Sequence, residues 1–326
     1  MPLLLTESDV RHLLPLADLI LTMEHALSEF SSGHVTQPVR TALLVPPKRN
    51  FFGVMPAYLP SSASLGIKLV TVFNENAARG LPAHLATILL FDPETGALQV
   101  IMDGRYITEM RTAAISAVAA KRLARAEGTI LAVLGSGVQA RSHLELLTRV
   151  CRFREIRAWS PTREHLDRFV SDAASITSVA VHAAGGAEQA VRGADIVALV
   201  TSSSTPVVQD AWISPGALVI SVGACRPDAR EMDPALVARA RVIVDSRAAA
   251  LVEAGDIVQG VRENCWTESH IAGELGEVIL GRVPGRMAPD EIVAFKSLGQ
   301  AVEDVAAAQL VFTRAKAQGI GREISM

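Results

Sequence analysis

The feature that most constrains the fold of this chain is a regular alternation of short aliphatic strands with helices, which begins at Thr129. Strands are predicted over residues 130–134, 156–159, 179–182, 196–200, 218–222 and 242–244. Such alternation is typical of a parallel, doubly wound α/β sheet with helices on both faces. Because only 4% of the residues are aromatic, the core must be built from Ala, Val, Leu and Ile, which suits strands that are covered on both faces.

A glycine-rich turn joins the first of these strands to the helix that follows it. The turn reads Gly135-Ser136-Gly137-Val138-Gln139-Ala140. A GxGxxA string alone is weak evidence, but this one follows a predicted strand and opens a predicted helix. Gly135 permits the tight turn, Gly137 lets the backbone approach a pyrophosphate, and the helix N-terminus offers N–H groups to the phosphates. We therefore predict a Rossmann-type domain that binds NAD or NADP through residues 135–139, in an oxidoreductase.

The residues after the second strand favour NADP over NAD. A carboxylate at this position would bind the ribose of NAD. The segment instead contains Ser160, Thr162 and Arg163, which can hydrogen-bond a 2′-phosphate. An exposed position on the first turn of a helix is the alternative interpretation of Arg163.

The first third of the chain has a different pattern, which is typical of an α+β unit. A helix is predicted over residues 6–30, strands over 40–45, 51–55, 65–73, 86–91 and 97–103, and a second helix over 105–125. A further helix is predicted over residues 297–318, and it either completes the Rossmann-type domain or packs on the first third. Since 326 residues exceed the usual size of one hydrophobic core, two domains are expected.

Charge and apolar patterning exclude two classes of partner. The chain mixes 31 basic with 34 acidic residues and has no basic stripe, so nucleic acid is not expected to bind. No apolar run approaches the about 20 residues of a membrane span. The three cysteines, Cys151, Cys225 and Cys265, lack the spacing of metal ligands and are typical of reduced thiols. We expect a cytoplasmic protein without a bound metal.

Strings spread over nearly the whole chain resemble the ornithine cyclodeaminase/mu-crystallin family. They are Gln37-Pro38-Val39-Arg40-Thr41, Gly53-Val54-Met55-Pro56-Ala57-Tyr58, Lys68-Leu69-Val70-Thr71, Met102-Asp103-Gly104, Arg111-Thr112-Ala113-Ala114, the Gly135 turn, Gly223-Ala224-Cys225-Arg226-Pro227-Asp228, Glu274-Leu275-Gly276-Glu277-Val278 and Phe295-Lys296-Ser297-Leu298-Gly299. The resemblance implies a homodimer that acts on small amino acids or cyclic imino acids. It also implies that residues 126–299 form the NAD(P)-binding domain, inserted into a substrate-binding and dimerisation domain of residues 1–125 and 300–326.

The same resemblance assigns the substrate carboxylate to Arg40, Lys68 and Arg111. Lys68 lies within an apolar strand and Arg111 within an Ala-rich helix, where an unpaired charge is costly. An anionic substrate would supply the pairing; the alternatives are that these side chains reach solvent or pair with Asp or Glu. Met55 and His84 are predicted to contact the substrate, and a structural histidine is the alternative interpretation of His84. The further residues predicted to contact the dinucleotide are Thr201, Gly223, Cys225, Ser297, Leu298 and Gly299.

Two departures separate this chain from the cyclodeaminases of the family. Those enzymes have a catalytic aspartate where this chain has Cys225, and a glutamate just before the Met-Pro pair, where this chain has Gly53-Val54. A thiol of ordinary pKa near about 8.5 is a poor substitute for a carboxylate base. The string Arg226-Pro227-Asp228 matches the mu-crystallin-like ketimine reductases instead, and Asp228 is either a substitute acid or a turn residue.

The sequence therefore predicts an NAD(P)H-dependent ketimine reductase. Its substrates would be Δ1-pyrroline-2-carboxylate and Δ1-piperideine-2-carboxylate, its products L-proline and L-pipecolate, and Lys68 its proton donor. Three alternatives remain open at this point. They are an ornithine cyclodeaminase, an alanine-type amino-acid dehydrogenase, and a non-catalytic protein that binds a small ligand in an NADP(H)-dependent manner.

Overall fold

A computed structural model of the chain describes residues 1–46 and 50–325. The chain divides into two compact units, of which the first comprises Met1–Arg111 with Gly299–Met326 and the second Thr112–Leu298. The first boundary lies within the helix predicted over residues 105–125 rather than after it, and the second lies one residue earlier than predicted.

The helices and strands are numbered in chain order. Up to the first boundary they are β1 (Leu3–Leu5), α1 (Glu7–Leu13), α2 (Leu16–Ser31), β2 (Thr41–Val45), β3 (Asn50–Leu59), β4 (Ser64–Val72), β5 (His84–Phe91), β6 (Leu98–Asp103) and α3 (Arg105–Leu123), which crosses it. The second unit continues with β7 (Ile130–Leu134), α4 (Val138–Val150), β8 (Glu155–Trp159), α5 (Arg163–Ala173), β9 (Val181–Ala183), α6 (Ala187–Val191), β10 (Ile196–Leu199), β11 (Leu218–Ser221), α7 (Pro234–Arg239), β12 (Arg241–Val244), α8 (Arg247–Glu253), α9 (Gly255–Arg262), β13 (Ile271–Glu274), α10 (Leu275–Ile279) and β14 (Val293–Lys296). The chain then returns to the first unit with α11 (Ala301–Gln318) and β15 (Arg322–Glu323).

The first unit is built on a seven-stranded sheet in the order β15-β1-β6-β5-β4-β3-β2. Helix α11 packs on β3, β4 and β5, which decides that the last helix packs on the first third of the chain. Alternate side chains of β3 and β4, such as Met55 and Lys68, are buried on one face, as the period of two in a strand requires. Gly66 lies on the same face, and a Cβ there would come within 3.3 Å of Val305 of α11.

The second unit is the predicted doubly wound α/β domain. Its eight strands are all parallel and lie in the order β13-β12-β14-β11-β10-β7-β8-β9. The chain extends from β7 in one direction through β8 and β9, and in the other through β10 and β11. Ligands of such sheets bind at the carboxyl ends of the strands near this reversal.

The single helix predicted over residues 6–30 is wrong, because the structure has two helices there. Helix α1 ends at Leu13 and α2 begins at Leu16. Pro15 has no N–H to donate and disfavours helical backbone at the preceding residue, so the break follows from the local sequence. Within residues 1–46 and 50–325, no helix is long and apolar enough to cross a membrane.

Candidate active site

The first unit contains a group of five charged side chains at the first turn of α11, here called the Lys68 cluster. Lys68 is 2% exposed and Arg111 4%, while Glu303 and Asp304 are fully buried. Arg40 is partly buried and donates to the backbone oxygen of Gly299 at 3.3 Å. The cluster therefore consists of three cations and two carboxylates, and Arg40, Lys68 and Arg111 are brought together as predicted from the family resemblance.

Asp304 is shared between the two buried cations. Its Oδ2 lies 2.5 Å from Lys68 Nζ, and its Oδ1 accepts a hydrogen bond from Arg111 Nε at 2.8 Å. Glu303 Oε2 accepts from Arg111 Nη1 at 2.9 Å. The pairing of Lys68 and Arg111 with carboxylates, which was one of the alternatives, is thus present. The group still carries one more positive than negative charge, which suits an anionic ligand.

Burial changes the acidity of the groups in the Lys68 cluster. Burial lowers the pKa of Lys68 to about 8, with the charges of Arg111 and Arg40 acting in the same direction and Asp304 opposing them. Burial alone would raise the pKa of Asp304, but Arg111 and Lys68 hold it below its usual range. Lys68 is therefore cationic at neutral pH, and it loses its proton far more readily than a lysine in water.

Two other predicted substrate contacts lie near Lys68. Met55 is buried and sits directly opposite Lys68 in the register of β3 with β4. His84 begins β5, and burial together with the charge of Lys68 lowers its pKa to about 4. His84 is therefore neutral at pH 7, and it can act as a hydrogen-bonding group but not as a cation.

Gly299, which was predicted to contact the dinucleotide, lies against two side chains of the Lys68 cluster. Its φ is 81°, and a Cβ at this position would lie 2.3 Å from Arg111 Nη1. Its oxygen also accepts the hydrogen bond from Arg40. The absence of a side chain therefore lets the Arg111 guanidinium pack against the backbone.

The two carboxylates of the Lys68 cluster were missed by the sequence analysis. Glu303 and Asp304 are adjacent residues in the first turn of α11, and the turn is tied to Gln37, whose Oε1 accepts from Val302 N at 2.8 Å. The sequence contained a signal for this pair, because the residues that surround it in this helix are apolar on nearly all faces. Two carboxylates within such a helix indicate buried partners of opposite charge.

The glycine turn of the second unit fits the pyrophosphate of a dinucleotide. Gly135 has φ 121°, and a Cβ there would lie 2.5 Å from the oxygen of Val200. Gly137 begins α4 without a side-chain cap, and a Cβ there would meet no atom within 4 Å. Val138 and Gln139 follow in the first turn of this 13-residue helix. Open space beside uncapped N–H groups at a helix N-terminus is what an anionic phosphate requires.

Ser160, Thr162 and Arg163 follow β8, the neighbour of β7. Ser136 Oγ of the glycine turn donates to Ser160 Oγ at 3.0 Å, so the structure joins these two predicted contacts. Thr162 precedes α5 and makes no side-chain cap. The side chain of Arg163 is 70% exposed and pairs with Asp167 at 2.9 Å.

The other predicted dinucleotide contacts of the second unit follow neighbouring strands of the same sheet edge. Thr201 follows β10, Gly223 and Cys225 follow β11, and Ser297 and Leu298 follow β14. Cys225 Sγ donates to the oxygen of its near neighbour Val222 at 3.1 Å.

Carboxylates that the sequence analysis missed hold these residues in place. Glu231 accepts hydrogen bonds from Thr201 N and Gly223 N, and Asp245 accepts one from Leu298 N at 2.5 Å. Asp228, the suggested substitute acid, is 44% exposed at its side chain and lies 3.6 Å from Arg226.

Comparison with known proteins identifies relatives over nearly the full length. Residues 1–319 match the ornithine cyclodeaminase/mu-crystallin family. The ketimine reductase mu-crystallin of Mus musculus is 42% identical over 315 residues, which are 95% of this chain and 96% of that protein.

Solved structures with the same fold hold nicotinamide dinucleotides. The Δ1-pyrroline-2-carboxylate reductase of Thermococcus litoralis, in complex with NADH and L-proline, is 36% identical, with a TM-score of 0.96 over 99% of this chain and 100% of that one. An archaeal alanine dehydrogenase dimer with bound NAD is 30% identical, with a TM-score of 0.94 over 100% of this chain and 99% of that one.

Proposed function

The chain belongs to the ornithine cyclodeaminase/mu-crystallin family, and from this we propose that it is an NAD(P)H-dependent reductase of cyclic ketimine acids. Δ1-Pyrroline-2-carboxylate and Δ1-piperideine-2-carboxylate are its substrates, and L-proline and L-pipecolate its products. The observation that carries the proposal is the buried Lys68, which pairs with the Asp304 carboxylate that also binds Arg111 and has a pKa of about 8.

The Lys68 cluster binds the carboxylate of the substrate. Its excess positive charge is balanced when the anion binds, and the planar guanidinium groups of Arg40 and Arg111 match the geometry of a carboxylate. Because Glu303 and Asp304 fix the orientation of Arg111, the carboxylate is held in one orientation and the ring of the substrate with it.

Lys68 supplies the proton that the imine nitrogen gains. A protonated C=N bond is a far better hydride acceptor than a neutral one, and an acid is most effective when its pKa lies near the operating pH. The proton moves from Lys68 Nζ to the ring nitrogen, and the Asp304 carboxylate beside Nζ favours its return from solvent. When bound, the reduced dinucleotide supplies the hydride for the ring carbon.

Cys225 argues against cyclodeamination, the alternative reaction within the family. A thiol stands where the cyclodeaminases have an aspartate, and its Sγ donates to the oxygen of Val222. Imine reduction needs no carboxylate base at this position, whereas release of ammonia from an amino acid does.

One set of assays separates the reductase from its alternatives. The purified protein is given NADPH or NADH with each cyclic imino acid, then oxidised dinucleotide with L-ornithine, and then pyruvate with ammonia and NADPH or NADH. We expect oxidation of the reduced dinucleotide only with the cyclic imino acids, and proline or pipecolate as product. Ammonia release from ornithine, or turnover only with pyruvate and ammonia, would contradict the proposal, as would dinucleotide binding without any turnover.

NADP is the proposed preferred dinucleotide. Ser160, Thr162 and Arg163 offer hydrogen bonds to a 2′-phosphate, and no carboxylate follows β8 to bind a ribose hydroxyl. The test is the ratio of kcat/KM for NADPH to that for NADH. We expect Arg163→Gln to lower this ratio and Arg168→Gln to leave it unchanged, since Arg168 is an exposed arginine of the same helix that pairs with Glu164. A wild-type preference for NADH would contradict the assignment.

Two further properties belong to the proposal. The protein acts in the cytoplasm, where thiols such as those of Cys151, Cys225 and Cys265 stay reduced. It forms a homodimer, for which the support is the exposed apolar edge strand β2 of the first unit, with Leu43 56% and Leu44 63% exposed.

A further inference from the structure

The second unit buries a second group of charged side chains, which the proposed reaction does not use. It consists of Glu231, Asp256, Lys296 and the hydroxyl of Ser221, and it is here called the Glu231 cluster. The three charged residues are at most 2% exposed. Burying two carboxylates and an ammonium group is costly unless each is paired and hydrogen-bonded, so the contacts of this cluster indicate what it stabilises.

Glu231 holds the ends of two neighbouring strands. Its Oε1 accepts hydrogen bonds from Thr201 N at 2.9 Å and Thr201 Oγ1 at 2.7 Å, just after β10. Its Oε2 accepts from Gly223 N at 2.6 Å, just after β11. Two backbone N–H groups beyond the paired part of the sheet are thereby fixed by one carboxylate.

The packing around this carboxylate leaves no room for adjustment. A Cβ on Gly223 would lie 2.0 Å from the backbone oxygen of Thr201 and 2.6 Å from Glu231 Oε1. Gly223 therefore lets the two strand ends approach each other with the carboxylate of Glu231 between their N–H groups. The distance between these strand ends depends on Glu231 remaining in place.

The rest of the cluster fixes Glu231 itself. Asp256 Oδ1 accepts from the backbone N–H groups of Glu231 and Met232 at 2.8 and 2.9 Å. Lys296 Nζ lies 3.1 Å from Asp256 Oδ2 and donates to Ser221 Oγ at 3.1 Å. Lys296 ends β14 and Ser221 ends β11, so three adjacent strand ends, of β10, β11 and β14, meet at one hydrogen-bonded group of two carboxylates and one ammonium.

The contacts continue from Glu231 to the glycine turn. Thr201, which Glu231 holds, follows Val200, and the oxygen of Val200 packs against Gly135 so closely that a Cβ there would lie 2.5 Å from it. Val200 N also donates to the oxygen of Leu134, the last residue of β7. A displacement of the β10 end would therefore change the space around the turn that fits the pyrophosphate.

We infer that Glu231 is a positioning residue for dinucleotide binding, which fixes the ends of β10 and β11 against the glycine turn without itself touching the ligand. The inference rests on the proposal that the second unit binds NAD(P)H. The pre-formed strand ends let the dinucleotide bind without first ordering the loops that receive it, and this ordering otherwise weakens binding.

The test is a direct titration of NADPH and NADH, without substrate, into the wild type and Glu231→Gln. Each carboxylate oxygen of Glu231 accepts from two donors, and the amide places an N–H donor where one of these oxygens now accepts. We expect the Kd for both dinucleotides to rise about tenfold or more, which corresponds to the loss of one charge-assisted hydrogen bond. The kcat at saturating dinucleotide and the KM for the cyclic imino acid stay within about twofold, because neither reflects dinucleotide affinity. Glu188→Gln, an exposed carboxylate of the same unit that pairs with Arg192, is the matched control and keeps the wild-type Kd.

A second variant covers the case in which Glu231→Gln does not fold. Ser221→Ala removes only the hydroxyl that links Glu231 to Lys296 and Asp256, and we expect a smaller rise in Kd, of about threefold. A wild-type Kd in Glu231→Gln, or in Ser221→Ala if Glu231→Gln is unfolded, would overturn the inference and leave the reductase proposal intact. If the wild type binds neither dinucleotide, both the reductase proposal and the inference fail.

Discussion

At the scale of single residues, Lys68 shows how burial converts a lysine into an acid that works near neutral pH. Its amine is cationic below its pKa of about 8 and neutral above it. Since the proposed reduction needs the cationic form, we expect kcat/KM for the cyclic imino acid to be constant below about pH 8 and to fall about tenfold per pH unit above it. The measurement is the pH dependence of kcat/KM at saturating NADPH.

The matched variants for this prediction are Lys68→Arg and Lys316→Arg. Arginine keeps the charge but does not release its proton in this range, so Lys68→Arg is expected to lower kcat by about 10²-fold and to abolish the fall above pH 8. Lys316 is a lysine on α11 outside the Lys68 cluster, and its replacement leaves the profile unchanged. A Lys68→Arg variant with the wild-type pH profile would show that another group donates the proton.

Gly299 gives a second prediction at the residue scale. In Gly299→Ala, the new Cβ would lie 2.3 Å from Arg111 Nη1 and displace the guanidinium. We expect the KM for the cyclic imino acid to rise about tenfold, since carboxylate binding loses an oriented partner. Gly319→Ala is the control, because Gly319 also has positive φ, 65°, but a Cβ there would meet no atom within 4 Å.

The two glycine variants are both expected to lose stability, but they are expected to differ in their KM for the cyclic imino acid. Both are expected to lose about 1–2 kcal/mol of stability to left-handed backbone in an L-residue, and Gly299→Ala loses more because it displaces Arg111 from Glu303 and Asp304. Only Gly299→Ala should raise the KM. Steady-state kinetics and urea unfolding measure the two effects separately, and an equal KM in both variants would show that Arg111 does not need the space at Gly299.

The candidate site residues that were predicted from sequence share one property, an unusual local context. Lys68 in an apolar strand and Gly135 at a strand-to-helix junction can each be recognised from their neighbours. Glu231 cannot, because it follows a loop with several other charged residues, and its partner Thr201 is distant in sequence. Asp304 lay in a recognisable context, but its partners Lys68 and Arg111 can be identified only once the fold is known.

At the scale of elements, α4 and the part of α3 that lies in the second unit are joined by a buried histidine. His143 of α4 is fully buried, and its Nε2 lies 2.8 Å from Ser116 Oγ of α3. Its Nδ1 lies 2.8 Å from the oxygen of Gln139 in the first turn of α4. Burial lowers the pKa of His143 to about 4, so the native state holds it neutral.

This lowered pKa predicts that acid destabilises the protein. The ordinary pKa of histidine in an unfolded chain is about 6.5, so the unfolded state gains the proton first. The contribution of His143 to stability is complete above about pH 6.5 and is lost as the pH falls toward about 4, to a total of about 3 kcal/mol. We expect His143→Gln to reduce the loss of stability between about pH 7 and pH 5, as measured by urea unfolding at each pH. His165→Gln, an exposed histidine on α5, is the control, and an unchanged pH dependence in His143→Gln would contradict the assignment.

The elements predicted correctly are those whose pattern is local and regular. The strand from Ile130 to Leu134 was predicted to the residue, because an aliphatic run is bounded by turn signals. The strands β13 and β14 were not predicted, and each is a run of only four residues, in which strand and helix patterns are hard to tell apart. The order of the parallel sheet places β14 between β11 and β12, and no local pattern determines such a long-range neighbour.

At the scale of the whole molecule, the sequence predicted a Rossmann-type domain within an α+β unit. The residue pattern left the position of the last helix open, and only the family resemblance assigned residues 300–326 to the first domain. Helix α11 is apolar on nearly all faces, so its composition suits burial in either unit. Packing decides the question: α11 lies on β3, β4 and β5, and it brings Glu303 and Asp304 to Lys68 and Arg111. The proposed substrate site of the first unit therefore depends on the two ends of the chain coming together.

Strand β2 carries the last prediction, which concerns the assembly of two chains. It forms one edge of the seven-stranded sheet, and all five of its residues are exposed. Leu43 and Leu44 are adjacent, so they point to opposite faces of the sheet, and both are more than half exposed. An exposed apolar edge strand attracts other strands unless it is covered, and a second copy of the chain would cover it.

We therefore expect the wild type to sediment as a dimer and the double variant Leu43→Glu/Leu44→Glu to sediment as a monomer, because two carboxylates on each copy would repel across the interface and remain poorly solvated there. Leu21→Glu is the matched control, since Leu21 of α2 is 62% exposed in the same unit and is not part of the edge strand. Sedimentation velocity over a range of protein concentrations measures the state of each, and circular dichroism shows that each is folded. A wild type that sediments as a monomer would contradict the proposed homodimer. A double variant that stays dimeric would place the interface on another surface of the chain.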